Sequence, residues 1–492
     1  MVPLPRLGRL VSTARLHGWS VAPRVGIVVP EDGRPGWTDA AFWCALLEAW
    51  GVPSERAPID GVVLSEWTTL IVPTSVVDED LAGAMATPDG AAILLTGAAT
   101  ADVDRLEGQA RVTRFTPSAD ELEPGTSEAT VDAAEEALAA AAPEGLVSLW
   151  RWPNGKDVAL VVDGDVDHPT GIDPECARYV APAIETARRA GFKAYGIFAA
   201  AANVDAEPAS FPTGADYYNH SYTHPYSHWN DDTWDSLDEA RMRQELTRSN
   251  DAFRRHLGAD DHRLFRVPHF QLTAFDRTYD VLERLGYLAE SSIGGNVSIT
   301  AGLPFHPARR PWSDRPADAA YARTHPDPSK RRPFLQVPIS TDPTHPAFPH
   351  GCCSYNTLGE GVRNRTADPN AYERVLQEVL DRAAARQSLA HLFIDPPDAG
   401  FGRLHGDSPD YASAVERWLA RALQREDVAI LTLTELTRWW LARERMIGGL
   451  SCRLEGEALV VDLRNVPEGV WLAVRPPGND RTWRRVPVEE GR

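Results

Sequence analysis

The sequence predicts an α/β protein whose largest unit is a closed barrel. Three observations predict it. Short β-branched apolar runs alternate with amphipathic stretches along most of the chain. About seven such pairs follow one another in the central part, which suits a barrel better than an open sheet. Residues able to do chemistry stand at or beside the ends of the apolar runs, where a barrel gathers its active site.

In chain order, residues 1–145 read as a first α/β unit. "RVGIVVP", "TTLIVPT" and "AAILLTG" are buried strands, and "AAFWCALLEAW" has helical periodicity, which together imply a parallel sheet. The pattern resembles flavodoxin-like and glutamine-amidotransferase-like domains but lacks their working parts. No nucleophile elbow and no G-x-G-x-x-G turn is present, and Cys44 inside the helical pattern reads as a core thiol. An Ala-rich acidic helix then leads to the boundary near residue 145.

Residues 146–446 form the barrel unit. "VALVVDGDVD", "KAYGIFAA", "ADYYNHS", "LFRVPHF", "FLQVPIS", "LAHLFID" and "VAILTLTEL" are its strands, and "DEARMRQELTRSNDAFRRHLG" and "PNAYERVLQEVLDRAAARQS" two of its helices. From 447 to 492 the pattern becomes strand-like with Gly and Pro turns, a small all-β unit.

Composition excludes some functions. A chain of 492 residues with 43% hydrophobic content holds more than one core. Its formal charge of −20 argues against nucleic acid or an anionic membrane as a partner, since phosphate binding needs clustered Lys and Arg. The first 26 residues lack an apolar run of signal-peptide length, so the expected location is cytoplasmic. Five cysteines without a C-x-x-C pair indicate neither a disulfide framework nor a cysteine zinc site.

Four motifs carry chemistry. In "VVDGDVDH" a buried strand delivers Asp163, Asp165 and Asp167 to one place, a costly cluster unless a cation or a shifted pKa relieves it. It lacks the Gly and Glu of a calcium loop. "NHSYTHPY" sets His220 and His224 four apart. With one carboxylate they make an open three-ligand site for a divalent ion. "FRVPHF" places Arg266 where it can hold a carboxylate ionised, and "SLAHLFID" puts His391 inside an apolar strand.

Taken in order, D-x-D after a strand, H-S-x-T-H, R-x-P and L-x-H resemble the polysaccharide deacetylases, the NodB-homology domains of carbohydrate esterase family 4, over about residues 155–445. The resemblance implies a distorted (β/α)7 barrel holding one divalent ion and hydrolysing an N-acetyl or related amide. It implies Asp163 as base and Asp165, His220 and His224 as metal ligands. A frame shifted by two, with Asp165 as base and Asp167 as ligand, is the secondary alternative. Arg266 then orients the base, His391 is the general acid, and a backbone N–H near His269 helps hold the oxyanion. The family's D-x-x-W element, source of the usual carboxylate for the histidine, is absent, and Glu290 is the guess for that partner.

The expected function is a metal-dependent deacetylase acting on an N-acetylated sugar, a glycan precursor or a small N-acyl metabolite. Zinc is the expected ion, with cobalt, nickel, manganese or iron as alternatives. A non-sugar cyclic amide, or a binding scaffold built on an inactive barrel, are the other readings; a homo-oligomer is compatible with all of them. Trp229 and Trp234 are candidates for stacking on a sugar. "PTHPAFPHGCCSYN", with His345, His350, Cys352 and Cys353, reads as a substrate-contacting loop rather than a second metal cluster.

Overall fold

The computed structural model describes residues 11–31, 34–59, 62–86, 90–98, 100–106, 109, 111–117, 128–167, 176–225, 233–258, 263–268, 275–292, 308–311, 330–340, 368–396, 411–464, 466–478 and 482–488. His269, Trp229, His345, His350, Cys352 and Cys353 lie outside the described residues. Within them the strands form four sheets, and no helix is long and apolar enough to cross a membrane.

In the first sheet the strands Val25–Val28, Ser54–Ala57, Thr69–Pro73, Ala92–Thr96 and Val112–Phe115 are all parallel and lie in the order 2-1-3-4-5. That is the flavodoxin-like order of a doubly wound sheet. Its three central strands, Val25–Val28, Thr69–Pro73 and Ala92–Thr96, are buried at every position because both faces are covered, whereas the edge strand Ser54–Ala57 is largely exposed. Ile27, Ile71 and Leu94 meet the helices Trp37–Trp50 and Glu128–Ala141 on one side, while Val28, Leu70, Val72, Ile93 and Leu95 meet Glu79–Met85 on the other. The helix Trp37–Trp50 is apolar nearly all round and correspondingly buried, with Phe42 and Trp43 packed on Phe115. Cys44 is one of its buried residues, and burial pushes its thiol up to about 12, which suits a core residue and not a nucleophile.

The catalytic-type unit is a distorted (β/α)7 barrel. Its seven parallel strands are Val158–Val166, Tyr195–Ala199, Asp216–Asn219, Leu264–Phe265, Ala289–Glu290, Arg331–Gln336 and Leu389–Phe393; the first six pair in sequence order and the seventh pairs with the first. The ring is joined between the last two by a backbone hydrogen bond from Ser340 N to the His391 carbonyl, 2.9 Å. Val428–Ile430 adds an eighth parallel strand along the start of Val158–Val166, and Ala308–Pro311 runs antiparallel outside Arg331–Gln336.

Side chains alternate across each barrel strand, and this alternation positions the site. Ala159, Val161, Phe198, Tyr218, Leu264, Ala289, Leu335 and Leu389 fill the interior, together with Trp152 and Trp440. Leu160, Val162, Val166, Ala390, Leu392 and Ile394 face the surrounding helices instead. By the same period Asp163 and Asp165 follow Val161 inward, His220 follows Tyr218, Arg266 follows Leu264 and His391 follows Leu389.

The tail differs from the free-standing β unit that the sequence suggests. Ser451–Glu455 and Ala458–Arg464 form a sheet with Val11–His17, and Trp471–Arg475 and Arg484–Pro487 form another with Leu146–Leu149, all antiparallel. Strands from both sides of the boundary at 145 thus complete the tail. Two or three short strands need partners and a shared apolar face, supplied by Leu16, Leu149, Leu459, Leu463 and Leu472. Nearby, the fully buried Arg443 of helix Leu433–Ile447 donates to the carbonyls of Glu48 at 3.0 Å and Ala49 at 2.9 Å. It satisfies the end of helix Trp37–Trp50 from across the molecule.

Candidate active site

The aspartates of "DGDVD" sit where the strand Val158–Val166 ends at the barrel mouth. Gly164 between them lies so close to the neighbouring chain that a Cβ would run into the Ile394 carbonyl. Two side chains missed in the sequence hold this strand end: Asp395 Oδ1 accepts from Asp165 N at 3.2 Å, and the Asn203 amide donates to the Asp167 carbonyl. Asp395 follows His391 by four residues and could have been flagged as a further carboxylate at a strand end.

Asp163 is completely buried, with both oxygens engaged. Oδ1 accepts from Arg266 Nη2 at 3.0 Å, and Oδ2 lies 2.6 Å from His391 Nε2. Burial raises its carboxyl, but Arg266 and His391 outweigh that and hold it below the usual range. The other ring nitrogen, His391 Nδ1, lies 3.1 Å from the Pro338 carbonyl, which can only accept. Nδ1 therefore carries a proton, and the short contact on the other side requires a second one, shared between the ring and Asp163.

Asp165 is in a different position. Oδ1 accepts from Arg266 Nη1 at 2.7 Å, and Oδ2 stands 3.5 Å from His220 Nε2. Burial raises its pKa, Arg266 and His220 oppose this, and the net result is a carboxyl above its usual value. Arg266, buried beneath both aspartates, is fixed by the Ser291 carbonyl at 2.7 Å and by the Phe198 ring 4.0 Å from its guanidinium carbon.

Asp167, His220 and His224 make the cluster that could hold a cation: one ligand atom from each lies within 4.8 Å of the others. Asp167 Oδ1 is 3.0 Å from His224 Nε2 and 3.5 Å from His220 Nε2, and the two Nε2 atoms are 3.1 Å apart. His220 Nδ1 lies 2.9 Å from the Arg266 carbonyl, so that nitrogen carries the proton and Nε2 presents its lone pair. With the Nε2 of both rings unprotonated, two imidazole lone pairs and a carboxylate would face one point and repel one another unless a cation lay between them, so this donor set fits a divalent ion; no hydrogen-bond partner among the described residues fixes the tautomer of His224, whose Nδ1 is buried. His220 shows the same competition: burial lowers its pKa, but Asp165 and Asp167 more than offset this and raise it.

The structure thus brings all six sequence candidates, Asp163, Asp165, His220, His224, Arg266 and His391, together with Asp167. It places Asp167, not Asp165, in the three-atom cluster. Glu290 is not the carboxylate of His391. Ala289 faces the barrel interior, so Glu290 points to the opposite side of its strand, where it accepts from Tyr279 Oη at 3.0 Å, Gln336 Nε2 at 2.6 Å and Ser292 N at 2.8 Å. Asp163 occupies that role. Trp234 is not exposed for stacking either: it is fully buried, 4.9 Å from the Phe265 ring, with its indole N–H donated to Thr278.

The turn that carries the histidines is unusual locally. Ser221 and His224 both have left-handed backbone, φ 68° and 52°, which costs a residue other than Gly about 1–2 kcal/mol. Ser221 Oγ accepts from His224 N at 3.0 Å and Asn219 Oδ1 from Ser221 N at 2.8 Å, closing the turn so that both rings point at Asp167.

A barrel mouth lined by carboxylates, an arginine and three histidines is a site able to hold a cation and to move protons. Residues 179–289 match the family model described as polysaccharide deacetylase, which bears out the resemblance read from the motifs. The matched stretch contains His220, His224 and Arg266. No curated protein matches the chain. Among solved structures it is similar to a probable polysaccharide deacetylase from Pseudomonas aeruginosa, at 13% identity and TM-score 0.40, covering 59% of this chain and 93% of that one. It is likewise similar to Puue allantoinase, at 13% and 0.41 over 60% and 93%. A third similar structure is a family 4 acetyl xylan esterase from Clostridium thermocellum in complex with a cobalt ion, at 12% and 0.29 over 57% and 91%.

Proposed function

We propose that the chain is a metal-dependent amide hydrolase that removes an acyl group from an N-acetylated sugar, a glycan precursor or a small N-acyl metabolite. The observation that carries this reading is the convergence of Asp167 Oδ1, His220 Nε2 and His224 Nε2 on one point, with the His220 proton already committed to the Arg266 carbonyl. A divalent ion held there would lower the pKa of a water and polarise the acyl oxygen.

The remaining chemistry belongs to the chain. Asp165 is the base: it is beside the cluster, its carboxyl is raised toward a useful proton affinity, and Arg266 fixes one oxygen while leaving the other toward His220. Asp163 is spent on Arg266 and His391, so its task is to orient His391 and stabilise its charged form. The proton that lets the amine leave is the one shared between His391 Nε2 and Asp163, since His391 Nδ1 is committed to the Pro338 carbonyl. This is the shifted of the two frames open in the sequence. The acidic chain, with a formal charge of −20, suits a neutral or cationic substrate.

The test is the metal content of the purified protein beside His220→Ala and His224→Ala, followed by a screen of N-acetyl sugars and cyclic amides. One ion per chain, lost from both folded variants, with acetate released by the parent, is the expected result. A folded parent that takes up no ion after reconstitution would overturn the reading and favour a binding scaffold.

A further inference from the structure

We propose that Glu245 is the positioning residue of the histidine pair: it braces the left-handed turn between His220 and His224 and thereby sets the cluster's affinity for a divalent cation. The proposal rests on the reading of Asp167, His220 and His224 as ligands.

The turn cannot hold itself. Its end donors are satisfied within the motif, Ser221 N by Asn219 and His224 N by Ser221. Its two middle N–H groups point onto the neighbouring helix Glu239–Leu257, where a single carboxylate takes both. Glu245 Oε2 accepts from Tyr222 N at 2.9 Å and Thr223 N at 2.7 Å, and Oε1 accepts from Thr223 Oγ1 at 3.0 Å. The helix is a rigid support, capped by Asp238 at its start and seated by the buried Met242, Leu246 and Phe253. It clamps the turn a second time through Arg248, whose guanidinium carbon lies 3.8 Å from the centre of the Tyr222 ring.

A turn with two non-glycine residues in left-handed backbone persists only where its surroundings over-determine it. The carbonyls of Ser221 and Tyr222 accept from Ala201 N at 3.0 Å and Ala202 N at 3.1 Å, so removing the acceptor of both middle N–H groups leaves the turn held from its carbonyl side alone, and the imidazoles at its two ends lose their fixed distance from Asp167. Sites of this kind tolerate little displacement, and loss of a ligand's supporting contact typically weakens metal binding about 10–100-fold.

The conservative variant separates positioning from bulk. In Glu245→Gln the amide oxygen can take the place of Oε2 and keep both backbone bonds, while the Thr223 hydroxyl rotates to accept from the new NH2 group. Glu245→Asp keeps the charge but retracts the acceptor by one bond.

The experiment is calorimetric titration of zinc into chelator-stripped parent, Glu245→Ala, Glu245→Gln and Glu245→Asp, alongside thermal unfolding without metal. The expected result is zinc affinity at least tenfold weaker in Glu245→Ala, weaker in Glu245→Asp, and within a few-fold of the parent in Glu245→Gln. Parent-like affinity in Glu245→Ala, or in Glu245→Asp should the alanine variant not fold, overturns the proposal. So does a glutamine variant as weak as the others. A merely structural role would lower the melting temperature of the metal-free variants and leave the affinity unchanged. A parent that binds no zinc is a different failure: it removes the ligand assignment itself and the proposal with it.

Discussion

Replacing Arg266 by methionine removes the one guanidinium that lies between two buried carboxylates. Its bonds to Asp165 at 2.7 Å and Asp163 at 3.0 Å disappear, while both aspartates stay in a site with almost no solvent. Breaking a buried pair from one side typically costs about 3–5 kcal/mol, because the remaining charge keeps its desolvation penalty and loses its partner. Against the ~5–15 kcal/mol that hold a typical domain together, that is a large share. The sign of the pH dependence follows. Without the arginine, Asp165 loses the main charge that opposes its burial, so its folded-state carboxyl rises further above the unfolded value of about 3.9 and its ionised form is the one the fold disfavours, while His391 still faces Asp163. The deficit relative to the parent is then largest at high pH and shrinks as falling pH protonates Asp165. Urea unfolding of the chelator-stripped proteins at pH 8 and pH 5, followed by the fluorescence of buried Trp152 and Trp440, measures both quantities. A deficit under about 1 kcal/mol, or one that widens as pH falls, would refute the reasoning.

Two further substitutions separate neighbouring roles. Asp165→Asn is expected to lower kcat by about 100-fold or more while zinc binding stays intact, whereas Asp167→Asn is expected to weaken zinc binding first; steady-state kinetics beside calorimetry distinguishes them, and the reverse pattern would restore the other frame. Arg443→Met should destabilise the protein by about 3 kcal/mol, since it strips a charge-assisted donor from the buried carbonyls of Glu48 and Ala49, with no change in zinc affinity; the denaturation midpoint and the titration read the two halves separately.

The barrel and its site were legible in the sequence to the extent that each motif is a local object. A strand of period two followed by a polar end announces both the sheet and the place where chemistry collects. The assignment of the three aspartates was not legible for the same reason. Asp163 and Asp165 share one face of one strand and Asp167 follows its end, and what separates them is the partner each meets from elsewhere: His391 and Arg266 for the first, Arg266 for the second, His220 and His224 for the third. Glu290 could have been set aside by counting, because its neighbour Ala289 is the apolar, inward position. Glu245 leaves no signal in a sequence, being one more acidic residue on an amphipathic helix until the fold brings the turn to it. Val11–His17 shows the reverse case. Its alternation of Ala14 and Leu16 with Arg15 was present in the sequence but carried no meaning without the distant strand it pairs with.

That strand also orders events in time. Among the described residues the seven from Val11 to His17 find their register against Ala458–Arg464, so during synthesis they wait unpaired until that distant strand has been made. Leu146–Leu149 waits likewise for Trp471–Arg475. The barrel between them pairs only its own strands among the described residues, whereas the flanking sheets tie early chain to late chain through contacts of long sequence separation. A fragment cut at either proposed boundary would therefore expose unpaired strand edges, and the natural pieces for recombinant work are not the three consecutive segments that a linear reading suggests.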